Sequence, residues 1–131
     1  MGYDASKKNI LANLARGAGS VKSEVITQRG VRGAIIIIDV SADGGGDITE
    51  LNIYLRSPQG RTANHEKKIY SWAGLAISAV GVFAFLLSPE GGDAEDWTAA
   101  PIKGYLPSEF VVEVVVATNP LTFSVDMQYL P

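Results

Sequence analysis

The chain has 131 residues, 47% of them apolar and 19% charged, with a formal net charge of -3, one histidine and no cysteine. That composition excludes global disorder, a disulfide framework, a thiol nucleophile and a zinc–thiolate centre. It also argues against nucleic acid as the main partner, because phosphate binding usually shows a basic face.

The length suits one domain, able to bury about two thirds of its unfolded surface. Its first twenty residues differ from the rest. Lys7 and Lys8 precede only a short apolar stretch before Arg16, which does not read as a signal peptide. Asp4 or Ser6 is placed to cap a short helix, with Ile10, Leu11 and Leu14 on one apolar edge and Gly17 at the end. So short a helix is marginal alone and needs a surface to lie on. That surface is either its own domain or a neighbouring subunit. Residues 1–20 are therefore read as a short helix or arm, and residues 21–131 as a β-sandwich domain.

Strand signals begin after Gly19. Residues 21–28 are a candidate, and a glycine-punctuated basic turn carrying Arg29 and Arg32 leads into residues 34–41. Ala34-Ile35-Ile36-Ile37-Ile38 has the composition of a fully buried strand. Gly44-Gly45-Gly46 marks a connection, since glycine frees the backbone and packs nothing. In residues 49–56, Thr49, Leu51, Ile53 and Leu55 alternate with Glu50, Asn52, Tyr54 and Arg56. From Leu121 to Tyr129 the alternation is unbroken, with Leu121, Phe123, Val125, Met127 and Tyr129 on the apolar side. Successive strand side chains face opposite ways, so both segments read as strands with one face buried and one wet. Residues 110–117 and 121–129 are expected to form a closing hairpin through Thr118-Asn119-Pro120.

The sixteen residues from Trp72 to Leu87 carry no charge. A spanning helix needs about twenty, and this run contains Gly74, Ser78 and Gly81. It reads instead as two buried strand pieces broken near Ser78-Ala79, the second being residues 80–87, with Trp72 in the core. Seven or eight strands at sandwich spacing give the fold class: all-β, a single antiparallel β-sandwich with a short N-terminal helix or arm.

Reactive chemistry is sparse. His65 stands in a polar segment and reads as an exposed loop residue. Asp39, Asp43, Asp47 and Glu50 cluster near the triple glycine, and Glu90, Asp93, Glu95 and Asp96 form an acidic loop. Neither follows the spacing of a calcium loop, and solvated loops explain both, with a cation site in residues 90–96 as the open alternative. The triple glycine lacks the Gly-Lys-Ser/Thr ending of a phosphate loop. Trp97, in the acidic loop, is the aromatic best placed to meet a partner, since aromatics anchor interfaces. The candidate interface is therefore Ile10, Leu11, Leu14, Arg29, Arg32 and Trp97. No catalytic residue, cofactor or metal ligand is assigned.

Taken in order, several segments form a pattern: residues 33–40 after Arg-Gly-Val-Arg, residues 48–53 followed by Ser57-Pro58-Gln59-Gly60-Arg61, residues 76–83, Leu106-Pro107-Ser108-Glu109-Phe110 with its valine-rich strand, and residues 121–125. From about residue 30 to 130 the chain resembles capsid decoration (cement) proteins of tailed bacteriophages, of the β-sandwich or jelly-roll type. The resemblance implies a non-enzymatic homo-oligomer on the outer capsid surface. It implies the major capsid protein as partner, neighbouring capsomers bridged, and neither nucleic acid nor membrane bound. A trimer is favoured over a dimer because three-fold sites are common in the resembling proteins. The alternatives are another virion part, such as a head–tail connector or tail protein, and a carbohydrate-binding sandwich using Trp97 and Tyr105.

Overall fold

A computed structural model describes residues 7–56, 66–88, 91–92, 108–118 and 120–130. Ten strands follow in chain order: β1 (Lys7–Arg16), β2 (Gly19–Lys22), β3 (Ile26–Thr27), β4 (Gly33–Asp43), β5 (Gly46–Arg56), β6 (Glu66–Trp72), β7 (Gly81–Ser88), β8 (Gly91–Gly92), β9 (Glu109–Thr118) and β10 (Leu121–Leu130). Sheet A has the order β1-β10-β4-β7-β8, and sheet B the order β2-β9-β5-β6, with β3 also on β9. All pairings are antiparallel. The pairs β1–β10, β2–β9, β4–β7 and β5–β6 are nested, as in one long hairpin rolled up on itself. Contacts β10–β4 and β9–β5 then close the two sheets. This is a jelly roll, the double-sheet solution for an antiparallel chain.

Alternation builds the core. Ala34, Ile36, Ile38 and Val40 of β4, Leu51 and Ile53 of β5, Val112, Val114 and Val116 of β9, and Phe123, Val125 and Met127 of β10 are all buried between the sheets. Trp72 joins them, its ring 5.5 Å from that of Phe85 at an edge-on angle. In β10 the buried phase is the one the sequence expects.

Several expectations need correction. No helix occurs among the described residues, and the N-terminal segment is strand β1, paired with β10. Lysine, leucine, alanine and arginine there favour a helix locally, but so short a helix is marginal alone, and a ladder along the β10 edge overrides it. The expected closing hairpin does not form: β9 and β10 lie in different sheets. Thr118, with φ 65°, redirects the chain, and Pro120 has no N–H to offer a ladder. In β5, register shifts beside Thr49 and Tyr54 move the apolar phase. Ile48 is buried in place of Thr49, and Leu55 is exposed. The isoleucine strand alternates, Ile35 and Ile37 being only half-buried. Before β7 the apolar run makes one isolated bridge, Ile48 to Ile77, rather than a strand. Nor is β7 buried on both faces, as the exposed Val82 and Leu86 show.

The triple glycine proves specific. Asp43 ends β4 and Gly46 opens β5, so Gly44 and Gly45 alone make the crossing. Gly45 has φ 92°, and its N–H meets the Asp43 carboxylate at 2.8 Å. Gly44 is held by space: a Cβ there would overlap the Pro120 carbonyl oxygen, at the second crossing between sheets. Gly44→Ala is therefore expected to cost about 1–3 kcal/mol in urea unfolding. Gly17→Ala, with nothing near its Cβ position, should change stability little.

Candidate interaction surfaces

Two outward faces follow from this topology. On sheet A the outward residues of β7 are Val82, Ala84 and Leu86, opposite Asp39, Ile37 and Ile35 of β4. Val82 is 66% exposed and Leu86 41%, and Val80 just before β7 is 62% exposed. The result is an apolar band spanning β4 and β7. Beyond it, β10 turns Ser124, Asp126 and Gln128 outward, so the band is bordered by polar surface on that side. A contiguous apolar patch rimmed by polar residues marks an interaction site, whereas scattered apolar residues do not.

The outward side of sheet B is different. Asn52, Ser71 and Glu113 face away from the core, yet Asn52 is only 1% exposed. The Asn52 amide donates to Glu113 Oε1 at 2.8 Å and to Glu50 Oε1 at 3.1 Å, and its oxygen accepts the Ser71 hydroxyl at 2.6 Å. Glu113 Oε1 also accepts the Tyr54 hydroxyl at 3.1 Å. The Lys22 ammonium lies 4.4 Å from the Tyr54 ring centre. These groups answer one another across β9, β5 and β6, fixing the register of β5. Residue reasoning placed Glu50, Asn52 and Tyr54 on the polar side of their strand but missed Glu113. The signal was one carboxylate inside the run Phe110–Val116.

The residues expected at an interface are separated by the structure. Leu11 is in the core and Ile10 packs against it, whereas Leu14 is exposed. Arg29 and Arg32 lie exposed between β3 and β4. Trp97, Tyr105, His65 and the acidic stretch 90–96 lie outside the described residues, except Gly91 and Gly92 of β8. Among the described residues no three histidine, aspartate or glutamate side chains converge as a metal site. No helix there is long and apolar enough to cross a membrane.

Beside β1, the Asn9 side chain donates to Asp126 Oδ1 at 2.7 Å. Arg16 closes the other end, donating to the carbonyl oxygens of Ala12 at 2.7 Å and Phe123 at 2.8 Å. Burial lowers the Arg16 pKa from its ordinary value. At the far end of β10 the Tyr129 hydroxyl is buried with no hydrogen-bond partner among the described residues, and burial raises its pKa. The folded chain thus keeps this proton when the unfolded chain begins to lose it, above about pH 10. Alkali therefore favours unfolding through this group as pH rises past that point. Tyr129→Phe should make the alkaline fall in stability shallower, measured by urea midpoints from pH 8 to about 11.

No family model and no curated protein matches this chain. Its fold is shared with solved structures of infectious bursal disease virus. One, of the Gx strain, superimposes with a TM-score of 0.51 at 8% identity, covering 92% of this chain and 30% of that one. A crystal structure of the VP2 subviral particle of the same virus gives a TM-score of 0.50 at 10% identity, covering 92% and 31%. This chain therefore spans under a third of the chains it resembles, and at such identity the likeness is one of fold.

Proposed function

We propose that this chain is a structural protein of a virus particle, a jelly-roll sandwich that sits on the outer shell and bridges neighbouring capsomers. The observation that carries the reading is the apolar band on the outward face of sheet A, Ile35, Ile37, Val82, Ala84 and Leu86. Such a band on a soluble sandwich needs a surface to cover it. Two likenesses support a shell as that surface: the strand-and-turn resemblance to tailed-phage decoration proteins, and the fold in common with a VP2 particle. The partners in this reading are the major capsid protein and further copies of the chain. A shell packed with nucleic acid is under outward load. Clamps across its seams resist that load by burying surface, and many weak contacts on a symmetric lattice add up.

Quantitative mass spectrometry of purified particles tests this. The chain should be present in numbers comparable with the shell protein and should be removable without opening the shell. A few copies per particle would instead identify a connector or tail component, and absence from particles would end the proposal.

A further inference from the structure

We infer that Asp43-Gly44 is a site of slow self-modification, where aspartate turns into isoaspartate without an enzyme and lengthens the backbone between the two sheets. In this reaction the backbone nitrogen after an aspartate attacks the side-chain carboxyl carbon. The new N–C bond closes a five-membered succinimide. The carboxyl OH leaves with the amide hydrogen as water, so no oxidant or other reactant is needed. Water then reopens the ring at one of its two carbonyls. Opening at the main-chain carbonyl leaves the chain running through the side chain, with the former main-chain carbon as a free carboxylate.

Three observations select this position. Asp43-Gly44 is the only Asp-Gly pair in the chain, whereas Asp39 and Asp47 precede the β-branched Val40 and Ile48, which crowd the attacking nitrogen. Asp43 is the last residue of β4, and Asp43, Gly44 and Gly45 are all exposed, so water reaches the ring. The Gly45 N–H donates to Asp43 Oδ1 at 2.8 Å, closing a loop of atoms that contains the Gly44 nitrogen. Carboxyl and attacker are thus held in one small turn, and rotation about the last Cα–C bond of β4 aligns them.

The fold itself requires the reactive pair. A Cβ at position 44 would overlap the Pro120 carbonyl oxygen, so the residue after Asp43 stays glycine, the one that obstructs attack least. The same crowding gives the reaction a consequence. Isoaspartate adds one atom to a backbone in which Gly44 and Gly45 alone carry the chain from sheet A to sheet B. The added atom either drives Gly44 into the Pro120 carbonyl or pulls Asp43 from its pairing with Leu121. An aged chain is therefore less stable than a fresh one. This inference does not rest on the shell reading, because it is measured on the isolated chain.

Incubation of the folded wild-type chain in heavy-oxygen water tests it, since ring opening takes one oxygen from solvent. Fragmentation of the tryptic peptide 33–56, which holds Asp39, Asp43 and Asp47, should place several-fold more heavy oxygen at position 43 than at 39 or 47. The departing oxygen leaves from the protonated carboxyl, so conversion should run faster at about pH 5 than at about pH 8. Asp43→Asn, which closes the same ring with loss of ammonia, should convert several-fold faster than wild type. Asp43→Glu, which would need a six-membered ring, should not convert. The urea midpoint of aged wild-type protein should fall, while that of Asp43→Glu holds. No excess of heavy oxygen at position 43 would overturn the inference. So would conversion of Asp43→Glu at the wild-type rate, or a converted fraction as stable as fresh protein.

Discussion

Phe123→Ala should bring the chain close to unfolding, with an expected loss of about 3–5 kcal/mol. The Phe123 ring is fully buried near the start of β10, the strand that joins β1 to β4. It faces Val40 on one neighbour and Leu14 on the other. The Arg16 guanidinium lies 4.8 Å from the ring centre and bonds the Phe123 carbonyl oxygen. Truncation leaves a void and also loosens the contact that holds the end of β1 to the sheet. Domains of this size are stable by only about 5–15 kcal/mol, so the loss is a large share of the whole. Leu14→Ala is the control: Leu14 is 57% exposed, and the change should stay within about 0.5 kcal/mol. Urea unfolding of both variants measures the contrast, and similar losses would mean that β1 does not pack as described.

Asn52→Ala should cost about 3 kcal/mol, although it removes no apolar contact of the core. The change takes a donor from Glu113 and Glu50 and leaves the Ser71 hydroxyl without its acceptor. Glu113 is nearly buried, so water replaces the lost donor poorly. Glu50→Ala should cost clearly less, because that carboxylate is only half-buried and Asn52 keeps Glu113 and Ser71. Equal losses for the two variants would show that Asn52 does not lock the register of β5 through Glu113 and Ser71.

The strands were legible where alternation was clean. Residues 121–129 declared both their strand and its buried face, and Trp72 declared itself core. What sequence could not convey was which strand pairs with which. Leu121–Leu130 follows Glu109–Thr118 at once, yet their partners are β1 with β4 and β2 with β5. Local turn chemistry reads Thr118-Asn119-Pro120 as a hairpin, whereas nesting is decided by packing across the whole chain. The N-terminal segment misled for a similar reason. Ile10, Leu11 and Leu14 fit a helical edge, but the open ladder of β10 offers more than one short helix can supply alone. β5 was misread by one residue because a bulge has no sequence signature as plain as alternation. Of the surfaces, the β7 band was hidden by its own composition. An uninterrupted apolar run suggests burial on both faces, and only the register of β7 on β4 reveals that Val82 and Leu86 face outward.

The proposed seating face is tested most directly by binding to emptied capsid shells from particles that carry the chain, with the wild-type chain compared with Ile37→Lys. The substituted lysine would stand beside Asp126 on β10 and leave the fold intact. Wild-type protein should sediment with the shells and saturate, while Ile37→Lys stays in the supernatant. Wild-type protein that ignores the shells, or a variant that binds them equally well, would contradict the account.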